Sequence, residues 1–178
     1  MAAADLDNNG NLEVIVVDYL VAGGLTTGAI HVFQPAGSER PGWPVATPYN
    51  QEIIAVADLN RDGHKEIAFS MGPELHVLNG GGQQYSPTWP VSGSRAIIQQ
   101  QLVVGDIDGD GFPEIVTTGV SWTPSSDGIS RPVQTLLAFT GEGVTEIAVA
   151  SGSQESHSSA RARHLRAGTR RPWFALHP

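Results

Sequence analysis

Acidic residues at every second position mark residues 106–114 as a candidate metal loop. Side-chain oxygens at loop positions 1, 3 and 5 can converge on one hard cation when a glycine at position 6 lets the backbone turn sharply. Gly111 stands at that position. Residues 5–13 and 58–66 follow the same pattern, and each of the three stretches precedes an apolar, β-rich run. The spacing therefore predicts three calcium loops that punctuate a repeat.

Each loop offers side-chain oxygens at positions 1, 3, 5 and 9 and a backbone carbonyl at position 7, and calcium takes roughly six to eight oxygens. The predicted ligands are Asp5, Asp7, Asn9, Asn11 and Glu13; Asp58, Asn60, Asp62, His64 and Glu66; and Asp106, Asp108, Asp110, Phe112 and Glu114, with Asn11, His64 and Phe112 acting through their carbonyls. The third loop carries four carboxylates and the other two carry three each, so we expect the third loop to bind calcium most tightly.

Two other interpretations of these loops compete with calcium binding. An EF-hand needs a glutamate at position 12 and a helix on each side, but position 12 is Val16, Phe69 or Thr117, and the flanking residues are β-branched. An Asp/Asn/Gly cluster can also be a plain turn whose side chains cap their own backbone. Three copies with the same acid at position 9 favour metal binding over a plain turn.

The composition favours a soluble chain of many short strands. Of 178 residues, 40% are hydrophobic and 16% are charged, and 21 Gly with 12 Pro favour turns over long helices. The chain has no Cys, which excludes disulfides and thiolate ligands within it. No stretch is apolar over the roughly 18 to 20 residues of a membrane helix, and the N-terminus lacks the pattern of a signal peptide.

Charge is divided unevenly along the chain. Residues 1–150 hold 17 acidic and 5 basic residues, whereas residues 151–178 hold 1 acidic and 5 basic ones. Ten of the 17 acids lie in the three loops, where bound cations would relieve their repulsion. This acidic surface argues against nucleic acid as a partner. Residues 151–178 lose the strand alternation, and we expect a disordered or non-repeat tail, with an Arg-rich nucleic-acid-binding segment as the alternative.

The loops recur at the spacing of propeller blades. The distance from Asp5 to Asp58 is 53 residues and that from Asp58 to Asp106 is 48. Four-stranded blades stack around a channel to bury their faces, and about four to eight close a ring. We predict an all-β fold, a partial β-propeller of four-stranded antiparallel blades, with units at about 1–47, 48–95 and 96–150. Residues 1–4 leave almost no room for a strand before the first loop, so the first unit is expected to start mid-blade.

The second unit shows all four predicted strands, at residues 52–57, 66–70, 74–78 and 88–91. The third unit repeats the order with a longer polar connection at residues 121–132. His31 and His76 occupy matching places and could form a metal or catalytic pair, but a repeated packing or surface feature is the favoured interpretation. Trp43 and Trp89, each followed by Pro, could stack on sugar rings, yet their repeat placement favours packing at blade edges.

The pattern Asp-x-Asp/Asn-x-Asp/Asn-Gly-x-x-Glu-Ile/Val, with His-Val-Phe or His-Val-Leu and Gly-Trp-Pro-Val downstream, resembles FG-GAP/VCBS repeats of integrin-α-type β-propellers. The resemblance covers about residues 1–150 and implies a calcium-stabilised propeller, usually of seven blades, with each loop between a blade's first and second strands. Members of that family are commonly secreted or surface proteins that bind proteins or glycans. The chain departs from the family pattern in three ways. Position 9 is glutamate instead of aspartate, the loops contain Asn9 and Asn60, and the repeat pattern is lost after Ala150.

The resemblance implies a calcium-binding repeat module for extracellular recognition or adhesion, with structural calcium, a protein or glycan ligand, and remaining blades from a longer chain or an assembly. No catalytic residue is assigned. The alternative is part of a calcium-dependent polysaccharide lyase, in which a basic residue would deprotonate a uronate, but only Arg61 and Lys65 lie in the loops. A calcium sensor would expose a groove on binding, whereas rigid hairpin loops favour stabilisation.

Overall fold

The computed structural model describes residues 1–22, 25–47, 53–92, 97–124 and 128–151, and these residues form strands and turns without a helix. The all-β class is therefore confirmed. The described part of the chain holds no helix with the length and hydropathy of a membrane span. The strands are β1 Ala2–Ala4, β2 Glu13–Ala22, β3 Leu25–Phe33, β4 Val45–Thr47, β5 Ile54–Ala57, β6 Glu66–Met71, β7 Glu74–Leu78, β8 Val91–Ser92, β9 Ile97–Gly105, β10 Glu114–Pro124, β11 Ser130–Phe139 and β12 Thr145–Ser151.

The strands form three antiparallel sheets, each a four-stranded meander in chain order. The first sheet contains β1 to β4, the second β5 to β8 and the third β9 to β12. In every sheet the candidate metal loop joins the first strand to the second. The predicted tail lies almost entirely outside the described residues, since β12 ends at Ser151.

Three expectations about strand extent are wrong. Of residues 88–91, predicted as the fourth strand of the second unit, only Val91 lies in a strand, β8. Residues 2–4 do form a strand, and Ala4 pairs with Glu13 across the first loop. Much of the stretch 121–132 is not a connection but a hairpin end, in which Trp122 lies opposite Pro132. Backbone hydrogen bonds between β10 and β11 continue through this polar stretch because the ladder depends on the paired backbone groups rather than on burial of the side chains.

The sheets stack face to face, and the same interface occurs twice. Successive side chains of a strand point to opposite faces. The face of a sheet that carries Ile30 in the first sheet and Leu75 in the second is called the front face, and the opposite face is called the back face. Ile30 packs in a cluster with Ile67 and Phe69 on the back face of the second sheet. Leu75 packs in a second cluster with Phe139 on the back face of the third.

Two tryptophans link neighbouring sheets at the turns between third and fourth strands. Trp43 is 7% exposed and donates its Nε1–H to the carbonyl of Gly80 at 3.1 Å. Trp89 is 2% exposed and donates in the same way to Gly141 at 2.8 Å. A Cβ at Gly141 would lie 3.1 Å from the carbonyl oxygen of Leu59, a tight contact, so this close approach favours a glycine. The burial of both indoles confirms the packing interpretation.

Candidate metal sites

The three loops share one backbone conformation. The glycines at position 6 all have left-handed φ values. The residues at position 4 have left-handed φ values too, although only the third loop has a glycine there. The φ values are 88° for Gly10, 90° for Gly63 and 96° for Gly111, and 59° for Asn8, 62° for Arg61 and 79° for Gly109. The sharp turn at position 6 follows the prediction from its glycine. The second left-handed position was missed because no residue type repeats there.

The carboxylate at position 1 organises the backbone of each loop. Asp5 accepts the backbone N–H of Asn9 at 3.0 Å through Oδ1 and that of Gly10 at 2.8 Å through Oδ2. Matching contacts join Asp58 to Asp62 and Gly63. Asp106 keeps the contact with the position-6 glycine, Gly111, but its Oδ1 accepts the N–H of position 4, Gly109, rather than that of position 5. The turn-capping interpretation is thus realised. A carboxylate has about four lone-pair sites, so these bonds leave acceptor capacity for a cation.

Positions 5 and 7 are linked by a further side-chain to backbone bond. The side chain at position 5 accepts the N–H of position 7, two residues on, at 2.8 Å in all three loops. These pairs are Asn9 with Asn11, Asp62 with His64, and Asp110 with Phe112. The carbonyl groups of Asn11, His64 and Phe112 stay predicted ligands, because these contacts involve only their N–H groups.

The glutamate at position 9 is buried in every loop and ties the two ends of the loop together. Glu13, Glu66 and Glu114 are 1%, 3% and 2% exposed. In each case Oε2 accepts the backbone N–H of position 2, at 2.8 to 2.9 Å. The longer glutamate side chain therefore supplies one oxygen to the loop backbone and has a second oxygen, Oε1, as a potential ligand.

Carboxylates at positions 1, 3 and 9 converge in the first and third loops. In each group, one oxygen per residue lies within 4.8 Å of the others. The groups are Asp5, Asp7 and Glu13, and Asp106, Asp108 and Glu114. These two acidic clusters could hold a metal ion. Asp110, counted in the affinity ranking, is not part of the third-loop group. The middle loop has Asn60 at position 3 and forms no such carboxylate group among the described residues.

The first cluster holds a carboxylate oxygen that the protein itself does not satisfy. Arg40 lies with Nη2 3.1 Å from Asp7 Oδ2 and Nη1 3.4 Å from Glu13 Oε1. The other oxygen of Asp7, Oδ1, is buried and has no hydrogen-bond partner within the part of the chain that the structure describes. An unpaired buried carboxylate oxygen is costly. A cation bound beside Asp7 would satisfy it, so the residues present fit a metal.

Electrostatics in the middle loop also favour a bound cation. Burial raises the pKa of Glu66 to about 7, and the charges of Asp62 and Asp58 add to this effect, which the N–H of Leu59 opposes. The N–H of His64 and the side chain of Asn60 lower the pKa of Asp62. Glu66 and Asp62 line an open cleft of about 390 Å³. A positive charge bound in this cleft would therefore favour the ionised form of Glu66.

Neighbouring loops contact one another through the two basic residues of the middle loop. Lys65 donates its backbone N–H to the carbonyl of Leu6 at 2.9 Å and its Nζ–H to the carbonyl of Asp5 at 3.0 Å. The Arg61 guanidinium lies 5.8 Å from the centre of the Phe112 ring. These two residues therefore connect the loops, and the Lys65 amine is a hydrogen-bond donor to the backbone, whereas the lyase alternative would require a base.

The matching histidines are each held by residues of their own sheet. His31 has Nδ1 2.6 Å from Glu39 and Nε2 3.3 Å from Asp18. His76 stacks on Phe69 with ring centres 5.3 Å apart, and burial lowers its pKa. His31 also stacks on Phe33, and His76 also lies 3.3 Å from Glu74. Each histidine thus has an acid and a phenylalanine from its own sheet, which favours a repeated structural position over a joint metal or catalytic site.

Two exposed aromatic residues were not predicted from the sequence. Tyr19 and Trp122 are each 61% exposed, on the long hairpins of the first and third sheets. The second sheet has shorter strands at this place, β6 and β7, and no matching aromatic. A repeat pattern could not reveal these residues because they break the repeat.

Comparison with protein-family models, with curated proteins and with solved structures finds no match to this chain. The resemblance to FG-GAP/VCBS repeats therefore stays a prediction from the loop residues. Inference about function depends on the loop geometry and the packing of the sheets.

Proposed function

We propose that this chain is a calcium-binding β-propeller repeat module of the FG-GAP/VCBS type, with calcium in a structural role. The observation that carries the proposal is the convergence of three carboxylates in the first and third loops on a shared backbone conformation. Calcium prefers such hard oxygen ligands and tolerates irregular geometry. The unsatisfied oxygen of Asp7 gives separate support.

The propeller assignment is supported by the way the sheets repeat. Three meanders of the same strand order pack front face to back face through two similar clusters. Each meander would be one blade, and Trp43 and Trp89 would join successive blades. A closed ring needs further blades, which would come from a longer chain or from an assembly.

The role we propose is extracellular or cell-surface recognition of a protein or a glycan. Extracellular modules commonly bind calcium with dissociation constants of roughly 10⁻⁴ to 10⁻³ M, a range suited to the exposed loop residues of this chain. Tyr19 and Trp122 supply exposed aromatic surface of the kind that binds sugar rings or protein side chains. The calcium loops would then stabilise the sheets that carry this surface.

The test is thermal unfolding of the full chain in EDTA and in about 1 mM calcium, near the upper end of that affinity range. Calcium that binds only the folded loops should raise the melting temperature by several degrees. The double variant Asp106→Asn/Asp108→Asn should lose much of that rise, whereas Glu142→Gln, an exposed acid outside the loops, should keep it. Equal melting temperatures of the wild-type chain in EDTA and calcium would contradict the proposal.

A further inference from the structure

The front face of the third sheet is uncovered at positions that are buried in the other two sheets. Position 2 of the loop is Leu6, Leu59 or Ile107, with exposed fractions of 1%, 3% and 43%. The first two side chains pack in the clusters that join neighbouring sheets. Ile107 is exposed because no sheet follows the third one within the described residues.

The third strand of each sheet shows the same contrast. Ile30 and Leu75 stand three residues before the end of β3 and β7 and are fully buried against the next sheet. Leu136, in the same place on β11, is 43% exposed. Val103 and Ala55 are also equivalent, because each pairs with the residue two positions after the glutamate of its loop. Val103 is 64% exposed, whereas Ala55 packs against the third sheet. Ile107, Leu136 and Val103 thus form an exposed apolar front face on the third sheet, whereas the front faces of the first and second sheets are both covered by the next sheet.

Three apolar positions on the back face of the first sheet match the surfaces that cover those counterparts, although Asp18 stands where the second sheet has Met71. Val14, Val16 and Phe33 occupy the register positions that Ile67, Phe69 and Leu78 hold in the second sheet. The latter three are buried against the first sheet, whereas Val14 is 39% exposed. His31 also lies on this back face, and the side chain of its counterpart His76 is only 17% exposed beside the first interface. A histidine at this position is therefore compatible with a packed sheet.

We propose that the front face of the third sheet docks on the back face of the first sheet of a second copy of this chain. This contact would continue the interface that already joins the first sheet to the second and the second to the third. It is heterologous, because different surfaces meet, so copies associate head to tail into a ring or an open chain. The chain carries a net charge of −8, so association should strengthen with salt that screens the repulsion between copies. Calcium is not required for it.

The test is the molar mass of the full chain by sedimentation velocity over a wide range of concentration, in EDTA and in calcium. We expect dimers or larger species that grow with concentration. Val103→Asp should block the front face and Val14→Asp the back face, so each variant alone should be monomeric. An equimolar mixture of the two should form a 1:1 dimer that cannot grow, since one intact face of each kind remains.

Matched variants guard against unfolding. Leu136→Lys is a second front-face variant, and Ile129→Asp changes an equally exposed apolar residue, 60% exposed at the hairpin between β10 and β11. Leu136→Lys should act like Val103→Asp, and Ile129→Asp should associate like the wild type, with circular dichroism confirming the fold of each. A wild-type chain that is monomeric throughout would overturn the proposal. So would assemblies that persist in Val14→Asp, because they would use another pair of surfaces.

Discussion

The first and third loops gather carboxylates from the same three positions, yet they differ in the residues beside the cluster. In the first loop Arg40 contacts both Asp7 and Glu13. The backbone N–H of Arg40 donates to the carbonyl of Val32, and Tyr85 makes the matching backbone bond to Val77 in the second sheet. Arg40 and Tyr85 therefore occupy the same position of the repeat. This position carries a guanidinium beside the first loop and a phenol beside the second.

The acids of the first loop therefore have a compensating positive charge within the chain. A tethered guanidinium lowers the repulsion in the first loop without a metal, although it competes for two of the loop's ligands. The third loop, with Asp110 as an additional acid, has more negative charge to attract an ion. We therefore expect the first loop to be less dependent on calcium than the third.

The largest effect is expected from Arg40→Gln. In EDTA this variant should lose about 3 kcal/mol of stability, because removal of one partner leaves the buried Glu13 and the half-buried Asp7 uncompensated. Saturating calcium should restore part of the loss by supplying positive charge. Urea unfolding with and without calcium measures both values. Arg131→Gln, a matched change at an exposed residue of β11, is the control. An equal loss in EDTA and calcium would show that Arg40 does not substitute for a metal.

The middle loop predicts a pH dependence in the absence of metal. Because the folded-state pKa of Glu66 is about 7 and the ordinary value is 4.5, the stability that Glu66 contributes is complete below about pH 4.5 and falls as pH rises through about 7. The loss amounts to at most about 3 kcal/mol. Urea unfolding in EDTA between about pH 5 and about pH 8 should show it in the wild type and not in Glu66→Gln. A wild type and variant with identical pH profiles would refute this prediction.

Calcium affinity should separate the two acidic clusters directly. Asp106→Asn should weaken the tightest calcium site at least about tenfold, or about 1.4 kcal/mol, because it removes a carboxylate from the more acidic loop. Asp5→Asn, the matched change in the first loop, should leave that tightest site unchanged. Isothermal titration with calcium measures both. If Asp5→Asn weakened the tightest site instead, the ranking by charge would be reversed.

The smallest effect is expected at loop position 4. Gly109 has φ 79°, and a Cβ added there would meet no atom within 4 Å. Gly109→Ala therefore adds only backbone strain, about 1 kcal/mol. Gly109→Asn, which copies Asn8 of the first loop, should cost less because asparagine tolerates this conformation. Urea unfolding in saturating calcium distinguishes the two. Equal costs would mean that the loops do not share this requirement.

Much of the candidate site could be predicted from spacing alone. Loop residues are neighbours in the chain, so the alternation from Asp106 to Asp110 and the turn at Gly111 follow from local geometry. Position 9 was assigned only as a ligand, and its second role, an Oε2 bond to the loop backbone, depends on how deeply Glu114 is buried. The left-handed conformation of Arg61 contradicts its residue preference, so only the shared loop geometry reveals it.

The amino-acid sequence by itself determined the all-β class and the three places where acids accumulate, because alternation, glycines and loop spacing act over a few neighbouring residues. Tertiary structure alone decided that Arg40 reaches Asp7, that Trp89 reaches Gly141 in the next sheet, and that Ile107 stays exposed while Leu59 is buried. These contacts join residues that are distant in the chain. Their geometry depends on how the sheets stack, and local preferences carry no information about that.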